Sequence, residues 1–174
     1  MRFLLSFVFC GLIFVSGVLL PMPAVAAALP AALPGFDRVF SGSPPQNLGV
    51  HDGQLTACPT SPNCVVSQGA DADHAIEPIA YEGDRETARN TLLEVLGVVP
   101  RTTIVEQTDE YIRFESQSRL MGFVDDGEFY LPAEANVIHM RSAARLGESD
   151  LGVNRRRLEQ IRLALQDLGL ASVD

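Results

Sequence analysis

Three carboxylates lie close together in the middle of the chain, within the segment SRLMGFVDDGEF (residues 118–129). Asp125, Asp126 and Glu128 are of the type that acts as general acids and bases or binds a hard cation. Their neighbours are typical of a β-strand, in which successive side chains point to opposite faces. We therefore expect Asp126 and Glu128 to share one face and Asp125 to lie on the other.

Arginines supply the opposite charge in this region. Residues 119 to 157 contain six arginines and six carboxylates, although the whole chain has 22 acidic residues, 13 arginines and no lysine. A guanidinium pairs well with a carboxylate because its planar fork can donate two parallel hydrogen bonds. We expect Arg119, Arg141 and Arg145 to neutralise the acids in a partly buried network, with Arg141 paired to an acid such as Asp126 or Asp150.

Two other interpretations of this network remain open. It could form the wall of a ligand-binding pocket, or Asp126 or Glu128 could be a catalytic acid or base. His139 belongs to the polar side of an alternating strand pattern, and no serine or cysteine nucleophile accompanies it. We interpret His139 as a sheet residue rather than a catalytic one.

The segment GESDLGVNRRR (residues 147–157) leads from the last strand pattern into a helix. Asp150 and Asn154 are both residue types that cap helix N-termini. Arg155 to Arg157 fall in the first helical turn. We expect them to be largely solvated with one member turned inward, although they could also form the rim of an anion site at the helix N-terminus.

Two cysteines, Cys58 and Cys64, lie six positions apart in CPTSPNC. In an exported protein this spacing favours a disulfide that closes a short, proline-shaped loop. A redox-labile pair and a pair of free or metal-bound thiols remain alternatives. A zinc site is disfavoured because two thiols do not complete a zinc shell and neither His51 nor His74 has ligand spacing. We expect no metal and no cofactor.

The N-terminus has the order of a secretory signal. Arg2 precedes an uncharged apolar run from Phe3 to Leu20, and Ala24 to Ala26 offers a small-residue cleavage site. We predict a signal peptide over residues 1–26, with a retained membrane anchor as the alternative. The mature chain would then be exported without membrane insertion, to a periplasm or to the thylakoid lumen of a phototroph. The net charge of −9 for the full sequence disfavours nucleic acid as a partner.

The remaining pattern predicts one α+β domain. Residues 27–45 are rich in Ala, Pro, Gly and Ser and are predicted to be a flexible tether, followed by an extended, disulfide-pinned segment over residues 46–68. Strand patterns cover residues 76–81, 101–106, 110–116, 123–131 and 137–142, and helix patterns begin near residues 84 and 154. Asp84 is the expected N-cap of the first helix and Gly97 its expected end. In the second helix the apolar stripe consists of Leu158, Ile161, Leu165 and Leu168. We predict a curled antiparallel sheet of about five strands with two helices on one face, forming a single domain over residues 46–174.

Three segments are unusually dense in special residues: CPTSPNCVVSQ, SRLMGFVDDGEF and RSAARLGESDLGVNRRRLE. Together they resemble the signature stretches of the domain of unknown function 1499 family, and the resemblance extends over residues 48–168. The resemblance implies a small α+β domain that is common in phototrophs and other bacteria and is often exported. It implies no established activity. Ala144 stands where the family more often has serine, so any role of that hydroxyl is absent here.

Three functions are compatible with these observations. The first is an exported, non-enzymatic domain that binds another protein, as an auxiliary or assembly factor of a membrane complex. The second is a small-ligand carrier with a pocket between the sheet and the C-terminal helix. The third is a hydrolase or isomerase that uses Asp126 or Glu128. The sequence leaves the oligomeric state open.

Overall fold

The computed structural model describes residues 40–171. The predicted signal peptide (residues 1–26) and most of the predicted tether (residues 27–45) lie outside the described residues. The regular elements, in chain order, are β1 (Val50–His51), β2 (Gln54–Leu55), β3 (Cys64–Val66), β4 (Ile79–Ala80), α1 (Arg85–Val98), β5 (Thr102–Gln107), β6 (Tyr111–Gln117), β7 (Val124–Tyr130), β8 (Val137–Ala144) and α2 (Val153–Asp167).

The main sheet is antiparallel and has six strands, in the order β3-β8-β7-β6-β5 with β4 also paired to β8. The α+β class predicted from the sequence is therefore confirmed. The additional strand is β3, which pairs its three residues with Arg141 to Ala143 of β8. The sequence pattern missed it because CVV is too short to show a period and is preceded by turn-forming residues.

Both helices lie on the same face of the sheet, as predicted. Ala88, Leu92, Val95 and Leu96 of α1 are buried. In α2 the predicted stripe holds for Leu158, Ile161 and Leu165, which are at most 1% exposed, whereas its last member, Leu168, lies just past the helix and is 60% exposed. The buried side chains pack on Ile112, Phe114, Phe129, Ile138 and Met140 of the sheet. None of the helices within residues 40–171 is long and apolar enough to span a bilayer.

The helix boundaries follow local capping chemistry. The carboxylate of Asp84 accepts a hydrogen bond from the backbone N–H of Thr87 at 2.8 Å, which is the predicted N-cap of α1. Gly97, which the sequence suggested as the end of this helix, lies inside it, and α1 continues to Val98. In α2 the N-cap position is Gly152, and the predicted capping carboxylate of Asp150 acts from two residues earlier.

The opposite face of the sheet is covered by residues 40–58, which we call the N-terminal strap. It begins with Phe40 against Phe123, with ring centroids 5.1 Å apart, so residues 40–45 of the predicted tether already lie against the domain. Further along, Leu55 packs in a cluster with Tyr111 and Tyr130. The strap ends at the Cys58–Cys64 disulfide, which confirms the predicted pairing.

One glycine is required by close packing inside the sheet. A Cβ built on Gly127 of β7 would lie 2.0 Å from Cζ of Phe114, the residue directly opposite on β6. The ring of Phe114 is fully buried and also stacks on Phe129, with centroids 5.6 Å apart. Because Gly127 has no side chain, the ring of Phe114 can occupy the space beside it.

We predict that Gly127→Ala lowers the free energy of unfolding by about 1–3 kcal/mol or more, because Phe114 must leave its site. The same substitution at Gly97, an exposed helical position with no atom within 4 Å of its built Cβ, should raise it by about 0.5–1 kcal/mol. Urea denaturation of both variants checks the pair. Equal effects of the two substitutions would contradict this packing.

Candidate functional site

The charged residues singled out by the sequence separate into two clusters on opposite faces of the sheet. Asp126 and Glu128 of β7 point toward the strap, and Asp125 points toward the helices. The register places Glu128 between Arg113 of β6 and Arg141 of β8. The two clusters are therefore separated by the sheet, as strand alternation predicts.

Glu128 is the most enclosed charge on the strap face, with 0% exposure. Its Oε1 accepts hydrogen bonds from the backbone N–H of Gly49 and from the hydroxyl of Tyr111, both at 2.8 Å, and its Oε2 accepts from Nη1 of Arg141 at 3.1 Å. Burial, followed by the charge of Glu128, raises the pKa of Tyr111. Glu128 thus joins the strap to the sheet.

The partner of Arg141 differs from the expectation. The sequence suggested Asp126 or Asp150, and the structure pairs Arg141 with Glu128 instead. The antiparallel register decides this, because Glu128 and Arg141 are directly opposite on β7 and β8. Asp126 lies opposite Ala143, and Asp150 lies in the loop before α2.

Asp126 pairs with Arg145. Its two oxygens accept from Nε and Nη2 of Arg145 at 2.7 and 2.8 Å, a bidentate geometry, and Arg145 also donates to Glu115. These hydrogen bonds, above all those with Asp126, raise the pKa of Arg145 further. The side chain of Asp126 is only 1% exposed, and Nη1 of Arg113 lies 3.6 Å away.

The second cluster lies beneath α2. Asp125 accepts from Nη2 of Arg157 at 2.6 Å, and Arg157 also donates to the amide oxygen of Asn154. The hydroxyl of Ser142 donates to the same amide oxygen. Burial raises the pKa of Asp125 although the Arg157 charge opposes the shift. Arg157 is the inward-turned member of the arginine triplet.

The other predicted residues have local roles or none. Asp150 accepts from the backbone N–H groups of Gly152 and Asn154 and from the Asn154 side chain, so it organises the start of α2. Arg155 donates to the backbone oxygens of Asp73 and Ala75. Arg119 is exposed and takes part in no ion pair among the described residues.

The geometry of these carboxylates is that of a scaffold. Asp126 and Glu128 are buried, and the oxygens of each carboxylate lie close to at least three donor groups of the protein. Neither carboxylate is therefore placed to transfer a proton to a substrate. Residues 40–171 contain no group of three or more His, Cys, Asp or Glu side chains placed to hold a metal ion.

Sequence reasoning missed three members of the strap-face cluster. Arg113 and Glu115 of β6 contact Asp126 and Arg145, and Tyr111 binds Glu128. All three lie on the polar side of a strand whose alternation was visible, and they could have been found by aligning that side with β7. Gly49 had no such signal, because its contact with Glu128 joins residues 79 positions apart.

The disulfide loop is held by a buried histidine. Nδ1 of His74 contacts Oδ1 of Asp71 at 2.8 Å, and its Nε2 contacts the backbone oxygen of Ser61, inside the loop, at 3.2 Å. Both partners are acceptors, so only the doubly protonated ring can donate to both. Accordingly, the hydrogen bond to Asp71 and then that to Ser61 raise the pKa of His74.

A hollow of about 260 Å³ opens between the loop before β7 and the loop before α2. Its apolar wall is formed by Phe123, Leu146, Leu151 and Val153, and we call it the apolar hollow. Leu151 is 83% exposed and has a φ of 53°, a left-handed conformation that disfavours a leucine. Leu120 and Met121, in the same loop as Phe123, are also exposed.

We predict that Arg141→Ala lowers the free energy of unfolding by about 3–5 kcal/mol, because it leaves the buried Glu128 carboxylate without its cation. Asp150→Ala should cause a smaller loss of about 0.5–2 kcal/mol, since it removes only helix-capping bonds near the surface. Thermal and urea melts measure both. Arg119→Ala is the control and should stay within about 0.5 kcal/mol of the parent; a loss for Arg141→Ala no greater than this would show that the pair is not part of the scaffold.

We also predict a pH dependence that passes through His74. Because its pKa is raised in the folded protein, its stabilising contribution is complete below the unfolded value of about 6.5 and is lost as the pH rises through the folded value. Stability should therefore fall between pH 6 and pH 9 by more in the parent than in His74→Asn. Denaturation midpoints measured across this range check the difference, and parallel curves would contradict it.

Comparison with known proteins identifies a family for this chain. The family model described as "Protein of unknown function (DUF1499)" matches residues 54–165, from the strap hairpin to the last core leucine of α2. Searches among curated proteins and among solved structures found no match. The matched range includes the disulfide loop, both charge clusters and the start of α2, and the chain belongs to the DUF1499 family.

Proposed function

We propose that this chain is an exported, non-enzymatic interaction domain that binds a protein of a membrane complex through the apolar hollow. The observation that carries the proposal is the hollow itself, a concave apolar surface built by two loops at one end of the sheet. Exposed apolar surface of this kind, bordered by polar residues, is characteristic of protein interaction sites.

The conformation of Leu151 supports this use of the surface. A leucine in the left-handed region costs the isolated domain about 1–2 kcal/mol, and its side chain gains little in return at 83% exposure. Asp150 and Ser149 fix this conformation by accepting hydrogen bonds from the N–H groups of Gly152 and Leu151. Burial against a partner would supply the stabilisation that the free domain lacks.

The predicted export supports a partner at a membrane, because a periplasm and a thylakoid lumen are both bounded by membranes. The acidic composition of the chain opposes attraction to anionic lipid, which favours a protein over the lipid surface itself.

The two alternative functions have less support. A carrier would need an apolar pocket between the sheet and α2, but the cavity of about 350 Å³ between them is lined largely by polar residues, among them Asp125, Arg156 and Arg157. Elsewhere the two layers pack closely, and Phe114, Phe129, Leu158 and Ile161 have at most 1% exposure. A hydrolase or isomerase would require Asp126 or Glu128 to reach a substrate, and both are buried in ion pairs.

We predict that the hollow makes the contact with the partner, and the absence of lysine allows a direct test. Glu148→Lys introduces one side-chain amine at an exposed position of the loop that forms the hollow, and Asp167→Lys introduces one at the far end of α2. Each variant of the exported chain is labelled on this amine with a photoreactive group and irradiated with host membranes. We expect Glu148→Lys, and not Asp167→Lys, to cross-link to a membrane-complex protein.

A second substitution separates specific binding from proximity. Leu151→Asp in the Glu148→Lys background should abolish the cross-link without lowering the melting temperature. Leu163→Asp, at an exposed leucine within α2, should leave the cross-link unchanged. Equal cross-linking from positions 148 and 167 would refute the proposal. Adducts formed only with lipid, in protein-free vesicles as well, would assign the hollow to the membrane surface instead.

A further inference from the structure

We propose that Arg141 is the anchor of a second site, a cavity beneath the N-terminal strap that binds a small carboxylate. The site lies on the strap face of the sheet and is independent of the apolar hollow. It rests on three observations about the described residues: a cavity, a buried guanidinium with an unused edge, and a lining whose one carboxylate, Asp126, is already bound by Arg145.

The cavity has a volume of about 410 Å³. Its floor is formed by Arg141 and Ala143 of β8, by Arg145 directly after β8, and by Asp126 of β7. The strap forms its walls with Ser43, Pro45, Asn47, Thr56, Ala57, Cys58 and Pro59. A volume of this size is in the range of pockets that hold small organic molecules.

Arg141 is 95% buried on this floor, with a relative exposure of 5%. Nη1 of Arg141 donates to Glu128, and the side chain of Arg141 makes no other hydrogen bond within residues 40–171. Nε is buried and has no acceptor in the described part of the chain. A buried, unpaired donor is rare in folded proteins because it loses its hydration without replacement.

The unused donors form a recognition surface of defined shape. Nε–H and one Nη2–H are parallel along the side edge of the guanidinium plane, and this edge binds the two oxygens of a carboxylate in a bidentate manner. Glu128 occupies the Nη1 side and therefore fixes the orientation of the plane. Arg141 is thus held with Nη1 in an internal pair, while its side edge has no acceptor within residues 40–171.

The hydrogen-bonding groups that line the cavity favour an anion over a cation. The net charge does not decide this, because Glu128 pairs with Arg141, and both Asp126 and Glu115 pair with Arg145. The Asp126 oxygens accept from Arg145 at 2.7 and 2.8 Å, so they are not available to bind a cation. The unpaired donors of Arg141 suit a carboxylate, whether it belongs to a free small acid or to the end of a peptide chain.

The test follows the Arg141 Nε–H resonance in ¹⁵N-labelled protein expressed from the full-length sequence, so that host processing is retained. Sodium acetate should move this resonance saturably, while sodium chloride at equal ionic strength should not. Acetamide, which has the same shape without the charge, should bind at least ten-fold more weakly. The Nε–H of Arg162, which donates to Glu159, is the internal control and should not respond.

Two further probes identify the source of the carboxylate. Acetyl-alanyl-alanine with a free C-terminus is compared with its C-terminal amide. Binding of the free peptide ten-fold tighter than acetate, and lost in the amide, indicates a chain terminus as the ligand. Equal binding of acetate and the free peptide indicates a free small acid. Both results support the carboxylate site.

Cavity-filling variants keep the proposal testable without disturbing the Arg141–Glu128 pair. Ala143→Leu fills the cavity from the sheet and Ala57→Leu fills it from the strap, and each should weaken acetate binding at least ten-fold. Ala80→Leu, at an exposed position outside the cavity, should leave binding unchanged. The proposal is overturned if acetate and chloride act alike on Arg141, if no probe moves its Nε–H, or if both filled variants bind acetate as well as the parent.

Discussion

The buried pair of Glu128 and Arg141 is the interaction on which the strap face depends. A charged pair with 0% and 7% side-chain exposure is costly to bury, and further hydrogen bonds to the carboxylate offset this cost. The sheet supplies Arg141 and the Tyr111 hydroxyl, but the third partner of the carboxylate, the Gly49 N–H, comes from the strap. The carboxylate thus requires the strap to be in place.

The contact between the strap and Glu128 explains how the N-terminal part of the domain is held on the sheet. The strap contains only the two-residue strands β1 and β2, too little regular structure to be stable by itself. It is held at its start by Phe40, in its middle by Glu128 and at its end by the Cys58–Cys64 disulfide. His74 then holds the disulfide loop against the sheet through Ser61. The buried charges and the covalent link therefore hold the same segment at two points, its middle and its end.

Much of the helix face could be predicted from the sequence because its signals are local. The α2 stripe has a helical period, Asp84 is a capping residue at a helix start, and strand alternation separates Asp125 from Asp126. The strap face depends on register and on contacts between distant residues. The pairing of Arg141 with Glu128 needs the alignment of β7 with β8, and the role of Gly49 needs the path of the strap, so neither could be read from spacing. Val65 and its neighbours were missed as a strand because pairing to β8, rather than their own pattern, makes them one.

The same arginine explains why scaffold and site are hard to separate in this fold. A guanidinium has two edges, and an internal carboxylate uses only one of them, so a buried Arg–Glu pair can stabilise the sheet and still present donors to a cavity. The strap that covers this cavity also reaches the apolar hollow. A Cβ built on Gly42 would lie 2.9 Å from Cβ of Arg145 and 3.1 Å from Cγ of Leu146, so glycine is needed where the strap crosses the end of β8. Arg145 lines the cavity and Leu146 lines the hollow. One tightly packed segment of the strap therefore lies against a residue of the cavity and a residue of the hollow.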